Sequence, residues 1–132
     1  MAIQWSTTYR NAALDQVETV VGTGPILTIR TGAQPADCAT ANSGTVLATL
    51  TLPSDWMNAA SSGSKTKLGT WQDASADASG TIGHFRLHDS TGTTCHTQGT
   101  AGPSGDLVTD SATTTAGQTV TVNTFTLTAP GA

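Results

Sequence analysis

Hydrophobic positions recur along this chain with two different periods, and the change falls at Gly22. Before it, Tyr9, Ala13, Val17 and Val20/Val21 are spaced by three and four, which places them on one stripe of a helix. The pattern predicts a helix over 6–21, with Ser6 or Thr7 as its N-cap and Gly22 as its stop. Gly24-Pro25 forbids continuation. Such a stripe must be covered, so Tyr9, Ala13, Val17 and Val20 are expected to pack on a sheet.

After Gly22 the period is two. Ile26–Arg30 reads as a short strand, 32–44 as a loop, and Thr45–Leu52 as a strand with Val46, Ala48, Leu50 and Leu52 on one face. Pro53 ends it, and 54–60 suits a loose helical turn. Lys65–Gln72 reads as a half-exposed strand. Thr81–His88 alternates, with Ile82, His84, Arg86 and His88 on one side and Phe85 and Leu87 on the other. Asp89–Gly92 is a hairpin turn, and 93–99 returns. A strand over 106–110 follows the break at 102–105. In the last strand, 118–128, the apolar parity changes from Val120 and Val122 to Phe125 and Leu127, which predicts a bulge at Asn123-Thr124. Short strands about ten residues apart predict a mainly β domain, a β-sandwich or jelly-roll-like fold with one N-terminal amphipathic helix. The whole chain, 1–132, reads as one domain, with 1–5 as a candidate N-terminal arm.

Composition narrows the classes. Only 11% of the 132 residues are charged and the net charge is −4, which argues against a nucleic-acid binder. Roughly one residue in five is Thr, far above ordinary usage, and Thr makes a strand's outer face polar without charge. No apolar run approaches the roughly 20 residues that span a bilayer. Residues 1–5 lack the pattern of a secretory signal. Cys38 and Cys95 are therefore expected as reduced thiols, although a disulfide closing that loop would stabilise by a few kcal/mol in the chain-entropy model.

The candidate chemistry is thin. His84, His88 and His96 lie near Cys95 in sequence, but two ligands four residues apart on a strand are about 13 Å apart, too far for one ion. They are expected on a solvated strand face. There is no nucleophile elbow, no outstanding carboxylate pair and no phosphate loop. No catalytic residue, cofactor or metal ligand is assigned, and the chain is expected not to be an enzyme. Trp5, Trp56 and Trp71, with Tyr9, are the large side chains. Aromatics of this kind could stack on a sugar, or Trp5 and Trp56 could anchor a protein interface; Trp71 is expected in the core. Ile3 and Trp5 are apolar residues that no regular element claims, so Ile3, Trp5 and Trp56 are the candidate interface residues. The alternative for Ile3 and Trp5 is an edge strand that closes the core.

The segments Tyr9-Arg10-Asn11-Ala12-Ala13-Leu14-Asp15, Gly24 to Pro35, Leu47-Ala48-Thr49-Leu50 and Val120 to Thr128 together resemble a group of small tailed-bacteriophage and prophage proteins. Those proteins share a short N-terminal helix and an R-N-x-x-L-D beginning. The resemblance implies a virion structural protein made in the bacterial host cytoplasm. On the physical side, an acidic surface poor in charge suits a soluble protein that avoids DNA. The expected function is capsid decoration or cement on the virion surface, as a homo-oligomer, most simply a homotrimer, bound to the major capsid protein and to neither nucleic acid nor membrane. The alternatives are a tail, neck or baseplate component, or a carbohydrate-binding module of a tail fibre.

Overall fold

The computed structural model describes residues 3–130; Met1 and Ala2 of the candidate arm lie outside the described residues. One helix, α1 (Thr7–Val21), precedes ten short strands: β1 (Ile26–Arg30), β2 (Val46–Thr51), β3 (Ser64–Thr66), β4 (Trp71–Asp73), β5 (Gly80–Thr81), β6 (His84–His88), β7 (Cys95–Gly102), β8 (Leu107–Thr109), β9 (Thr113–Thr114) and β10 (Val120–Thr128). Ser6 caps α1 by accepting a hydrogen bond from the Tyr9 N–H, and Gly22 ends it at φ 89°, a conformation that favours glycine. The main sheet runs β2-β1-β6-β7-β8-β10-β3, with β4 also paired to β10. A single sheet curls into a half-barrel, so a mainly β, sandwich-like domain with one N-terminal helix is what forms.

The β10 bulge falls between Val122 and Thr124, at the predicted parity change. It lets one strand serve two neighbours on one edge. Val120–Val122 pair with β4, and Thr126–Thr128 pair with β3. The predicted strand at 65–72 is thus two strands, broken at Gly69, which takes φ 76°. The predicted helical turn at 54–60 does not form. Met57 bridges Lys67 and Trp56 accepts from the Leu68 N–H, because an extended path drops Trp56 into the core.

That core lines the concave side of the sheet. Leu27, Ile29, Leu50, Phe85, Leu87, Leu107, Val122 and Phe125 are all buried. Aromatic rings join its parts, with Trp71 5.6 Å from Phe125 and 6.0 Å from Trp56, and Phe85 edge-on to Phe125 at 5.5 Å. These are favourable offset and edge geometries. Each indole N–H reaches a carbonyl, Trp56 to Gly22 and Trp71 to Leu68.

Of the four residues expected to pack on the sheet, Val17 reaches the core and the other three do not. Tyr9 and Val20 are 56% and 64% exposed, Ala13 is exposed, and Val17 is half-buried. The buried side is Arg10, Leu14 and Val21, a second stripe of the same helical spacing. Polar contacts select it. Arg10 donates from Nε and Nη2 to the Ala129 carbonyl, Asn11 accepts from the Gly63 N–H, and Asp15 accepts from the Ala60 N–H. Lys65 of β3, 1% exposed, lies 2.8 Å from both Asp15 Oδ1 and Glu18 Oε1. A buried ammonium needs its counter-charges, so the face that supplies them turns inward.

Candidate functional site

Two surfaces stand apart from ordinary packing: a polar layer on the outer face of the main sheet, and the outer face of α1. In the layer, strand register sets the members. Thr28 and Arg30 of β1 lie opposite Arg86 and His84 of β6, and Arg86 lies opposite Gln98 of β7. Their side chains share the face away from the aromatic core. This face is not solvated as the alternation suggests. His84, Arg86 and His88 are at most 2% exposed, because the 31–45 loop folds back over them.

The loop is held through its carbonyls. His84 Nδ1 lies 2.9 Å from the Gly32 oxygen, Gln98 Nε2 donates to Pro35, and Arg86 donates from Nη2 to Cys38 and from Nη1 to Thr40, each at 2.8 Å. Side chains of the sheet thereby satisfy a loop whose backbone has no ladder of its own. Gly83 allows the approach, since a Cβ there would overlap the backbone of Gly32. The loop stays ordered at its tip through Asp37, which accepts from both the Thr40 N–H and hydroxyl.

The electrostatics are one-sided. Among the described residues the ion pairs are those of Lys65, so neither Arg30 nor Arg86 meets a carboxylate. Arg30 Nε donates to Thr28 Oγ1 at 3.0 Å, and burial, then the charge of Arg86, pull the Arg30 pKa down. The His88 pKa is lowered by burial first and then by Arg86 and Arg30. His84 Nε2, His88 Nδ1 and Gln98 Oε1 are buried without a hydrogen-bond partner. No three His, Cys, Asp or Glu side chains among the described residues are grouped to hold a metal ion.

Cys38 and Cys95 meet at the edge of this layer, which their sequence separation did not show. Arg86 donates from Nε to Cys95 Sγ at 3.2 Å while its Nη2 holds the Cys38 carbonyl. Both cysteines are half-buried, and both are free thiols. Burial, then the neighbouring Cys95, pushes the Cys38 pKa up to about 11.

The outer face of α1 carries the apolar side chains that the sheet leaves unused. Trp5, half-buried, stacks on Tyr9 with ring centroids 4.6 Å apart, and Ile3 is 82% exposed. Residues 3–6 form no strand, so Ile3 and Trp5 do not close the core as an edge strand. A shallow groove lined by Ala13, Gln16, Val17, Val20, Val21 and His96 continues this surface. The three charged side chains of α1, Arg10, Asp15 and Glu18, are all engaged on the sheet side. The exposed face therefore mixes Tyr9, Ala12, Ala13 and Val20 with the uncharged polar Thr8, Gln16 and Thr19, and Asp15 stands at its border, 47% exposed.

Trp56 is not part of it. It is fully buried between Trp71 and the end of α1, so it cannot anchor a neighbour, and neither Trp56 nor Trp71 offers a ring to a sugar. Of the three candidate interface residues, Ile3 is exposed, Trp5 lies against Tyr9, and Trp56 belongs to the core. No helix among the described residues is long and apolar enough to cross a membrane. Comparison with family models, curated proteins and solved structures finds no match to this chain.

Proposed function

We propose that this chain is a non-enzymatic structural protein of a tailed-bacteriophage virion, a capsid decoration or cement protein that works as a homo-oligomer on the outer shell. One observation carries the reading: the exposed apolar side chains of Ile3, Tyr9 and Val20, with Trp5 stacked on Tyr9, on and just before a helix that ion pairs hold in place. Contiguous apolar surface of this kind marks an interaction site, and aromatic anchors are what interfaces use. The occupant we assign is a second copy of this chain. Copies of a chain with net charge −4 repel across most faces, and this face brings no like charges together. A closed ring of three such contacts gives the homotrimer, which leaves its other surfaces to the major capsid protein.

The test uses the purified protein and particles that lack it. Native mass spectrometry should show a trimer that the double variant Tyr9→Glu/Val20→Glu converts to monomer with its thermal stability intact. Both residues are exposed in the isolated chain, so folding should not suffer. The trimer should bind the particles, with little dependence on salt, and reach hundreds of copies each. A monomeric wild type would overturn the interface. A copy number of about 6 to 18, set by tail rather than shell symmetry, would overturn the decoration role in favour of a neck or baseplate part.

A further inference from the structure

We infer that Cys38 and Cys95 are a redox-active pair that closes as an intramolecular disulfide and fastens the 31–45 loop to β7. The inference stands independently of the virion reading. Its basis is the position of one side chain. The planar Arg86 guanidinium reaches the Cys95 sulfur with its Nε–H and the Cys38 carbonyl with its Nη2–H, so the two residues are brought to the same edge of one small group. The Cys95 side chain also lies close enough to Cys38 to help raise its pKa. Both are half-buried, so a small oxidant can reach them while a second protein chain is kept at a distance. Among the described residues, the loop that carries Cys38 is hydrogen-bonded to the rest of the chain through carbonyl contacts to Arg86, Gln98 and His84 and through the pairing of Thr31 with Thr45 at its base.

The oxidant is a low-molecular-weight disulfide, such as oxidised glutathione. Cys95 is the attacking sulfur, because its Sγ is the one that receives the Arg86 Nε–H. Cys95 gives up its proton to water and attacks one glutathione sulfur; the S–S bond of glutathione breaks and the first glutathione thiolate leaves. Cys38, held as a thiol by its burial, then loses its proton as its sulfur attacks Cys95 in the mixed disulfide, and the second glutathione leaves. Two protein thiols are oxidised, one glutathione disulfide is reduced, and two glutathione thiols are formed. The closed bond bridges the loop to the first residue of β7, so the layer of Arg30, Arg86, His84 and His88 is sealed under a covalent strap.

The experiment equilibrates the native protein with reduced and oxidised glutathione over a range of ratios, followed by alkylation and intact mass. The expected product lacks two hydrogens, resists alkylation and yields a Cys38–Cys95 crosslinked peptide. Its Tm should exceed that of the reduced form by about 5–15 °C, since a long loop is closed, and protease cleavage within 31–45 should slow. The Cys38→Ser variant should instead retain a glutathione adduct on Cys95 and show no such rise in Tm. Two free thiols in excess oxidised glutathione, a wild-type adduct that never resolves, or a disulfide between chains would each overturn the pair. An intramolecular disulfide with unchanged Tm and unchanged loop cleavage would overturn the strap.

Discussion

Replacing Arg86 with Met tests whether the polar layer holds the 31–45 loop. Met keeps most of the buried stem and removes the guanidinium fork. Two hydrogen bonds of 2.8 Å to the Thr40 and Cys38 carbonyls vanish, along with the 3.2 Å contact to Cys95 Sγ. A charge-assisted bond contributes about 1.5–3 kcal/mol, so the gross loss is about 3–6 kcal/mol. Two effects reduce it. Arg86 is 1% exposed and has no carboxylate partner, so its removal also relieves a buried charge that costs several kcal/mol. Thr40 is exposed and Cys38 half-buried, so the freed carbonyls regain water if the loop lifts. The expected global loss is therefore about 2 kcal/mol, read from the urea midpoint at constant m-value, with a larger local effect. Proteolysis and amide exchange within 31–45 should accelerate well beyond the rest of the chain. Arg86→Lys should recover only a small part, because one ammonium cannot span two carbonyls in a fixed plane. A variant with wild-type urea midpoint and wild-type loop cleavage would refute the idea that Arg86 carries the loop.

Two further outcomes follow from the same contacts. Lys65→Met should destabilise by about 2 kcal/mol in urea unfolding, less than the roughly 3–5 kcal/mol of a fully buried broken pair, because the carboxylates left behind can reach water; Asp15 and Glu18 side chains are 47% and 26% exposed. An unchanged urea midpoint would show that the helix does not need the pair. His88 has a pKa lowered from 6.5 by burial and the two arginines, so the folded chain resists its protonation. Unfolding raises that pKa, so the unfolded state takes up the proton first, and this share of stability is complete above pH 6.5 and lost as pH falls toward the folded value. Urea midpoints measured across that range should fall with acid in the wild type and fall less in His88→Gln; parallel curves would exclude His88 as the titrating group.

What was legible in the sequence was what neighbours in the chain decide. Ser6 caps the helix it begins, Gly22 ends it, and the Asp89–Gly92 turn closes on bonds to Asp89 Oδ1 from the Thr93 and Thr94 N–H groups. The β10 bulge was visible because a parity change is a local property. The failures share one cause, a partner far along the chain. The side of α1 that turns inward is chosen by Lys65, fifty residues from Asp15. The His84–Arg86–His88 face reads as solvated until the carbonyls of 32–40 are placed over it. Trp56 sits in loop-like sequence, yet its ring fills the space between α1 and Trp71. The cysteines are paired by Arg86, on a third segment, so neither their spacing nor their flanks revealed it.

The result inverts the usual division of polar and apolar side chains, and the inversion bears on function. Rotating α1 by about 100°, one residue of helix, would turn Tyr9 and Val20 toward the sheet. Burying those two side chains would gain about 1.5–3 kcal/mol each. The same rotation would carry Asp15 and Glu18 away from Lys65 and strip Arg10 from the Ala129 carbonyl. Breaking a buried ion pair costs about 3–5 kcal/mol, and an Arg bond to a carbonyl about 1.5–3 kcal/mol more. The polar seat therefore wins in the isolated chain, by a narrow margin. In the proposed oligomer a neighbour would cover Tyr9 and Val20, so the two gains would add instead of competing. A helix seated by charge, with Tyr9 and Val20 left outside, would then be stable alone and more stable assembled, as the proposed virion role requires.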